Sequence, residues 1–174
     1  MSKKHQSDQR GNGSLITIGI IVISVLLLSV LVIFFSKSNT APEITVSNEV
    51  EAISQSTSHD WGTISMKDGG VEAVFEVKNN GSEMLQLYDA TTSCSCTTAQ
   101  LVLGETKSPL FGMHTNFNYV LEVPSGETAQ VKVVFDPAFH GPTGVGQISR
   151  EVTVETNDAA RPQLTFNASA DVTR

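Results

Sequence analysis

The residues best suited to chemistry are the two cysteines of the chain, Cys94 and Cys96, which form a C-x-C pair. Small hydroxyl residues surround them in the stretch 91–98, TTSCSCTT. In an extended strand, side chains two residues apart point to one face at about 6.6–7 Å, whereas the Cβ atoms of a disulfide lie about 3.5–4.5 Å apart. The pair can therefore form a disulfide only if the backbone bends between the cysteines.

Three interpretations of this pair remain open from the sequence. Cys94 and Cys96 can form a disulfide, they can supply two thiolates to a soft-metal site, or they can be buried thiols in a small core. Two ligands alone do not complete a metal site, and C-x-C is not a spacing typical of zinc. Packing or a local disulfide is therefore favoured over a metal site.

Further ligands for a soft metal lie in two later loops. Met113 and His114 are adjacent in the first loop, and His140 lies in the second. Thiolate, thioether and imidazole ligands together suit copper. A copper site made of Cys94, Cys96, Met113, His114 and His140 is therefore a hypothesis, although no spacing among these residues is a recognised metal motif.

Charge and missing motifs exclude several classes of function. The chain has 174 residues and a net charge of −7, and residues 36–174 carry all but one of its acidic side chains. An acidic domain repels phosphate backbones, so we expect no nucleic-acid binding. The sequence has no nucleophile elbow, phosphate-binding loop or H-E-x-x-H motif, so we predict a protein that is not an enzyme.

An apolar segment near the N-terminus predicts a membrane anchor. Residues 15–35, LITIGIIVISVLLLSVLVIFF, contain no charge and no proline. As a helix they would measure about 31 Å, which matches the hydrocarbon core of a bilayer. A cleaved signal peptide has a shorter apolar region of about 7–15 residues. We therefore expect an uncleaved transmembrane helix, with cleavage after Ala41 as the alternative.

The segments on either side of this helix predict its orientation. Residues 1–14 are polar and carry three basic side chains against one acidic, which predicts a disordered cytoplasmic tail. Residues 36–42, SKSNTAP, are predicted to form a stalk, and residues 43–174 a periplasmic or extracellular domain. Cysteines exported to that side tend to be oxidised or bound to a ligand.

Beyond the stalk, the hydrophobic pattern has a period of two, which is typical of β-strands. Residues 71–77, VEAVFEV, place apolar side chains on one face and glutamates on the other. Similar β-rich runs occupy residues 43–47, 84–88, 118–123, 129–135, 148–154 and 164–172. Turn sequences such as DGG and NNGS separate the runs, which predicts an all-β fold, an Ig-like antiparallel β-sandwich of about seven strands.

Four aromatic residues of this domain have predicted packing roles. Trp61, the only tryptophan, is expected to pack between the two sheets. Phe117 and Tyr119 are expected to cover one end of the sandwich. Phe111 can belong to the same cover or to a patch that binds a partner.

Six short motifs occur in an order that resembles a known family. They are HDWGTI at 59–64, FEVKNNG at 75–81, SCSCT at 93–97, PSGE at 124–127, VVFD at 133–136 and VTVETND at 152–158. Together they resemble the bacterial family of exported Ig-like domains of unassigned function, which is similar to the Hydin and major-sperm-protein type of sandwich. The resemblance covers residues 58–172 and implies a seven-stranded β-sandwich at the cell surface or in the periplasm, without a known reaction.

The chain departs from the family pattern at two places. Ser95 stands where the family usually has glycine, which makes a bend between the cysteines less easy. The connection between Cys96 and Pro124 is longer than usual and includes residues 108–116, SPLFGMHTN. Enlarged loops on an Ig scaffold are common sites of function.

The sequence supports two hypotheses of function. The first is a single-pass membrane protein of the cell envelope whose Ig-like domain binds another envelope protein, as a non-catalytic interaction or structural module. The alternative is a copper-binding or thiol-redox envelope protein that uses the C-x-C pair and the Met-His insertion.

Overall fold

The structure, a computed structural model, describes residues 12–35, 43–115 and 117–174. Side chains of the helix are described for residues 17–29. The chain divides into two compact units, one within residues 1–40 and the other within residues 41–174.

The first unit contains the helix α1 (Asn12–Phe35), which begins three residues before the segment predicted to be helical. Within the part of the chain that is described, no helix is both long enough and apolar enough to cross a membrane. The membrane anchor predicted for residues 15–35 therefore stays a prediction. Residues 1–11 of the predicted tail and the predicted stalk, 36–42, lie outside the described residues.

The second unit is a β-sandwich of two five-stranded sheets. Its strands are β1 (Ala52–Ile53), β2 (Ser58–Ser65), β3 (Val71–Asn79), β4 (Leu85–Thr92), β5 (Thr97–Leu103), β6 (Thr106–Lys107), β7 (Val120–Val123), β8 (Thr128–Phe135), β9 (Gly146–Thr156) and β10 (Gln163–Thr173). One sheet has the order β1-β3-β8-β5-β6, and the other has the order β2-β10-β9-β4-β7.

Alternation of apolar and polar residues along the strands builds the core between the sheets. In β3, Ala73, Phe75 and Val77 are buried, whereas the intervening residues are exposed. Phe75 stacks on Phe166 of β10 in the facing sheet, with ring centroids 4.8 Å apart. Burial of apolar area, at roughly 25 cal/mol per Å², is the main force that holds the sheets together.

The predicted β-sandwich is confirmed as an architecture, with differences in strand number and direction. Ten strands form instead of about seven. No predicted run covers β2 and β5, of eight and seven residues, or β1 and β6, which have only two residues each. Runs this short carry no recognisable alternation. In addition, β2 pairs with β10 in parallel, so the sandwich is not wholly antiparallel as predicted.

The strand predicted at residues 43–47 is wrong. In that segment only Ser47 pairs with another chain segment, through an isolated parallel bridge to Asp158. The backbone amide of Thr45 donates instead to the side chain of Gln86, at 3.1 Å. A side chain thus binds the backbone there in place of a strand ladder.

Trp61 packs between the two sheets, as predicted. Its ring, on β2, stacks on Phe135 of β8 with the ring centroids 5.7 Å apart. Its Nε1 donates to the carbonyl of Glu72 at 3.0 Å, which satisfies its one polar atom.

The aromatic residues of the 108–116 insertion and after it belong to the sandwich rather than to a separate patch. Phe111 is 1% exposed, lies in the main core and pairs by its backbone with Ala99 of β5. Tyr119 packs against the same core. Phe117 is 38% exposed and meets the Phe111 ring edge-on, with centroids 5.8 Å apart.

Candidate functional site

The two cysteines lie in the turn that joins β4 to β5. The amide of Thr97 donates to the carbonyl of Cys94 at 3.1 Å, which closes a β-turn over residues 94–97. The turn brings the Cα atoms of Cys94 and Cys96 to 5.2 Å, and the two residues form a disulfide. The bend that a C-x-C disulfide requires is therefore present.

Ser95 fits this turn without strain. Among the non-glycine residues that the structure describes, only Asp89 has a positive φ. The turn therefore needs no left-handed residue, and the expectation that serine would hinder the bend is wrong. The hydroxyl of Thr92 lies 3.0 Å from the carbonyl oxygens of both Cys94 and Thr97, so it fastens the two ends of the turn to one side chain.

The two sulfur atoms have different surroundings. Cys94 is partly exposed, and its Sγ lies 3.4 Å from Nε2 of His140, an exposed residue. Cys96 is 3% exposed and packs in a small apolar cluster with Phe135 and Val172. A reagent in solution therefore reaches the Cys94 sulfur before the Cys96 sulfur.

Arg150, on β9, contacts the buried sulfur. Its Nε donates to Sγ of Cys96 at 3.2 Å, and its guanidinium lies over the Phe135 ring, 5.4 Å from the ring centroid. Burial lowers the pKa of Arg150, yet an arginine side chain stays charged in proteins. Within the sandwich as described, no carboxylate forms an ion pair with this cation.

The structure brings together three of the five residues predicted to bind copper. Cys94, Cys96 and His140 each offer a ligand atom, and these atoms lie within 4.8 Å of one another. Sδ of Met113 lies beside the group, 3.7 Å from the hydroxyl of the serine between the cysteines. His114 is exposed and does not belong to the group.

Arg150 is the residue of this site that sequence reasoning missed. It lies on β9 near Val152, which pairs with Thr92 at the end of β4, just before the cysteine turn. The register between β4 and β9 therefore places Arg150 beside the sulfurs. Register between strands that are distant in sequence cannot be read from the alternation within one strand.

A family model described as "Protein of unknown function (DUF1573)" matches residues 52–110. This chain is similar to that family. The match covers about a third of the chain, from β1 to β6, and includes both cysteines. His140 and Arg150 lie outside it. The predicted resemblance is therefore confirmed as far as a family of unknown function, and export stays a prediction.

The similarities to solved structures concern the fold alone. A protein of unknown function from Porphyromonas gingivalis W83 aligns with a TM-score of 0.53 and 20% identity, over 72% of this chain and 49% of that one. This chain thus spans about half the length of that protein. The ASH/PapD-like domain 7 of human CEP192 aligns with a TM-score of 0.47 and 16% identity, over 80% and 96% of the two chains. No curated protein matches the chain.

A second polar cluster lies at the other end of the sandwich. β3 begins at Val71, which packs beside the cysteines, and ends at Asn79. We call the two ends of the sandwich the disulfide end and the amide end. The amide end holds Asn79, Asn157 and Asp158, which are 0%, 3% and 1% exposed. It carries the NNG and TND motifs of the resemblance, so those motifs mark a structural feature.

The three buried polar side chains of the amide end hydrogen-bond to the protein's own backbone, and the Asp158 carboxylate also forms an ion pair with Arg161 at 3.6 Å. The Asp158 carboxylate accepts hydrogen bonds from the amides of Ala52, Ala160 and Arg161, at 2.9, 2.8 and 3.2 Å. Within the described part of the chain, each buried side-chain nitrogen or oxygen has a partner. Such a cluster fixes loops and leaves no free group for chemistry.

Proposed function

We propose that this chain is an envelope protein whose Ig-like domain carries a reversible thiol–disulfide pair, Cys94 and Cys96. One observation carries the proposal: Arg150, a cation without a carboxylate partner in the described sandwich, donates to the sulfur that solvent does not reach. When a disulfide is exchanged, the leaving sulfur becomes a thiolate. A cation placed on that sulfur stabilises the thiolate and favours its departure.

The short span of the disulfide also fits a redox role better than a bracing role. In the chain-entropy description, a disulfide stabilises by about 1.6 kcal/mol when it closes a loop of three residues and by about 4.7 kcal/mol for 100 residues. The turn has its own support, because Ser93 and Glu151 exchange two hydrogen bonds of 2.9 Å. Opening the disulfide therefore leaves the turn in place.

The exchange requires a dithiol as the reductant, which we take to be a dithiol on a partner protein. A thiolate of the partner attacks Sγ of Cys94, the bond between Cys94 and Cys96 breaks, and Cys96 departs as a thiolate beside Arg150. The second thiolate of the partner then attacks the partner's first sulfur, which is bonded to Cys94 in the mixed disulfide, and Cys94 is released. The partner becomes a disulfide, and two electrons and two protons pass to the pair.

The proposed location follows from the sequence prediction. An uncharged apolar segment at residues 15–35, preceded by basic side chains, supports a single membrane span with the sandwich outside the cytoplasm. Thiols and disulfides can interconvert in such a compartment only by exchange with other carriers, because no glutathione pool keeps them reduced. A membrane-bound protein that exchanges thiols and disulfides with a partner is consistent with this requirement.

A protein-interaction module is the second candidate, and exposed apolar side chains next to the disulfide favour it. Phe139 is 52% exposed and lies edge-on to the His140 ring, with centroids 5.1 Å apart. Met113, which neighbours the cysteine turn, is 46% exposed. A protein that docks at this end would contact both side chains, whether or not it exchanges a disulfide.

The test is a redox titration of the full-length chain in buffers of reduced and oxidised dithiothreitol, with free thiols trapped by alkylation and counted by mass. We expect a reversible two-electron equilibrium in the folded protein. Arg150→Gln should shift that equilibrium about tenfold toward the disulfide, because it removes a charge-assisted hydrogen bond from the Cys96 thiolate. Lys132→Gln removes a cation from an ion pair with Glu72, 3.8 Å long and at the surface, and should leave the equilibrium unchanged.

Near-UV circular dichroism of Trp61 on the same samples monitors whether the sandwich stays folded, since this ring packs beside the disulfide. If the disulfide were reduced only after the Trp61 signal is lost, the redox proposal would be wrong and the interaction module favoured. If the dithiol–disulfide equilibrium were the same in Arg150→Gln and in the unmodified protein, Arg150 would not stabilise the Cys96 thiolate.

A further inference from the structure

We propose that the reduced domain binds one Cu(I) ion through Cys94, Cys96 and His140. This inference rests on the proposed function, because only reduced sulfurs can be metal ligands. It departs from the five-residue copper site that the sequence predicts, since it uses three of those residues and leaves out His114 and Met113.

The three ligand atoms lie close enough together for one metal ion to reach all of them once the disulfide is open. They lie within 4.8 Å of one another. Bonds of about 2.3 Å to sulfur and about 2.0–2.1 Å to imidazole nitrogen place the ligand atoms of one ion roughly 3.5–4 Å apart. Once the disulfide opens, side-chain rotation separates the two sulfurs to this range, while the β-turn holds the Cα atoms of Cys94 and Cys96.

The loop that carries His140 is fastened to the cysteine turn. The amide of Asp136 donates to the carbonyl of Cys96 at 2.9 Å, and the Asp136 carboxylate accepts from the amide of Ala138 at 2.9 Å. On the other side of His140, the hydroxyl of Thr143 donates to the His140 carbonyl at 3.1 Å. The imidazole is therefore presented by a braced loop, and little ordering is needed when it binds a metal.

Charge favours Cu(I) over Zn(II) at this position. Two thiolates and a neutral imidazole around Cu(I) carry one net negative charge, which the cation of Arg150 balances. Around Zn(II) the same ligands carry no net charge, so Arg150 would keep no counter-charge in the described sandwich. Structural zinc sites also take four protein ligands, whereas the thiolates and their soft surroundings suit Cu(I).

The test uses the full-length chain, reduced with a phosphine and titrated anaerobically with Cu(I) in competition with a chromogenic Cu(I) chelator. We expect one copper per chain and an ultraviolet thiolate-to-copper charge-transfer band. Cys94→Ser and His140→Ala should each weaken binding by at least about 10–100-fold, the loss seen when only a hydrogen-bond partner of a metal ligand is removed. His114→Ala is the matched control, because it removes an exposed loop histidine outside the group, and it should bind as the unmodified chain does.

Three outcomes would overturn the inference: no copper retained against the chelator, equal affinity in His140→Ala, or preference for Zn(II) over Cu(I) in a parallel titration. Counting thiols in the same samples separates the two proposals. If the disulfide is reduced reversibly and copper does not bind, the metal inference fails alone. If the disulfide cannot be reduced while the Trp61 signal persists, both fail.

Arg150→Gln keeps all three ligands, and about tenfold weaker copper binding in this variant would support the charge argument.

Discussion

The two ends of the sandwich both hold polar clusters, and these clusters differ in how fully the protein itself satisfies them. At the amide end, Asp158 accepts three backbone amides, and Asn79 donates to the carbonyls of Glu83 and Val123 at 2.7 and 2.9 Å. At the disulfide end, Cys94 is partly exposed and Arg150 has no carboxylate partner among the described residues.

This difference separates a structural cluster from a candidate site. A buried polar group that has all its hydrogen bonds lowers the free energy of one loop conformation and has no capacity left for a ligand. Arg150 has such capacity: its guanidinium donates to the neutral sulfur of Cys96 and to the backbone carbonyl of Ser149, and a negative charge placed beside this cation would be stabilised. The amide end therefore holds the fold, and the disulfide end is where chemistry is expected.

The sharpest test of this contrast is the loss of a carboxylate at the amide end. Asp158→Ala should lower the free energy of unfolding by about 3–5 kcal/mol, because the buried amide of Ala52 and the partly buried amides of Ala160 and Arg161 would lose their acceptor. The measurement is chemical denaturation of the full-length chain, followed by Trp61 fluorescence.

A matched aspartate at the disulfide end serves as the control for this prediction. Asp136 also accepts from the amide two residues ahead, Ala138 at 2.9 Å, but that hydrogen bond is exposed. Asp136→Ala should therefore cost only about 0.5–1 kcal/mol. Similar losses in the two variants would show that the ends do not differ in the way described.

The disulfide itself should matter less to stability than the amide cluster. In the double variant Cys94→Ala with Cys96→Ala, we expect the free energy of unfolding to fall by about 1–2 kcal/mol, the loop-entropy term of a three-residue loop. Chemical denaturation with and without reductant measures this contribution of the disulfide. Reductant should lower the free energy of unfolding of the unmodified chain and leave that of the double variant unchanged. If the free energy of unfolding fell as much as in Asp158→Ala, the disulfide would be mainly a stabilising crosslink, and the redox proposal would be weakened.

The sequence predicts the strands whose buried positions are large and apolar. β3 and β8 were predicted to within two residues at each end, because their buried residues, apart from Asn79 at the end of β3, are valines, alanines and phenylalanines in strict alternation. β5 was missed because its first two buried positions are Thr97 and Ala99, and because its alternation breaks where Leu101 and Val102 are both buried. Hydroxyl and small side chains at core positions do not stand out from a loop.

The sequence predicted the possible metal ligands of the candidate site, but it did not predict the positive charge of Arg150 beside them. The chemistry of the side chains nominates both cysteines, His140 and His114 equally, and only the loop conformation decides which histidine meets the sulfurs. Arg150 could not be nominated, because its place beside Cys96 depends on the pairing of β9 with β4. Long-range register is set by the packed sandwich and leaves no local signal in the sequence.

The smallest expected effect is a difference in reactivity between the two sulfurs, and it tests the asymmetry on which the exchange depends. Cys96→Ser leaves a partly exposed thiol at Cys94, whereas Cys94→Ser leaves a thiol at Cys96 that is 3% exposed. The first variant should react with an aromatic disulfide reagent about tenfold faster or more, because attack requires access to the sulfur.

Arg150 sharpens this prediction, because access and thiolate character oppose each other at Cys96. The cation favours the Cys96 thiolate, which by itself raises reactivity, while burial keeps the reagent away. If burial dominates, Arg150→Gln will leave the slow rate of Cys96 in Cys94→Ser nearly unchanged. The opposite result is that Cys96 reacts as fast as Cys94 and slows when Arg150 is replaced. The partner's thiolate would then attack Cys96, and Cys94 would be the leaving sulfur, stabilised by His140.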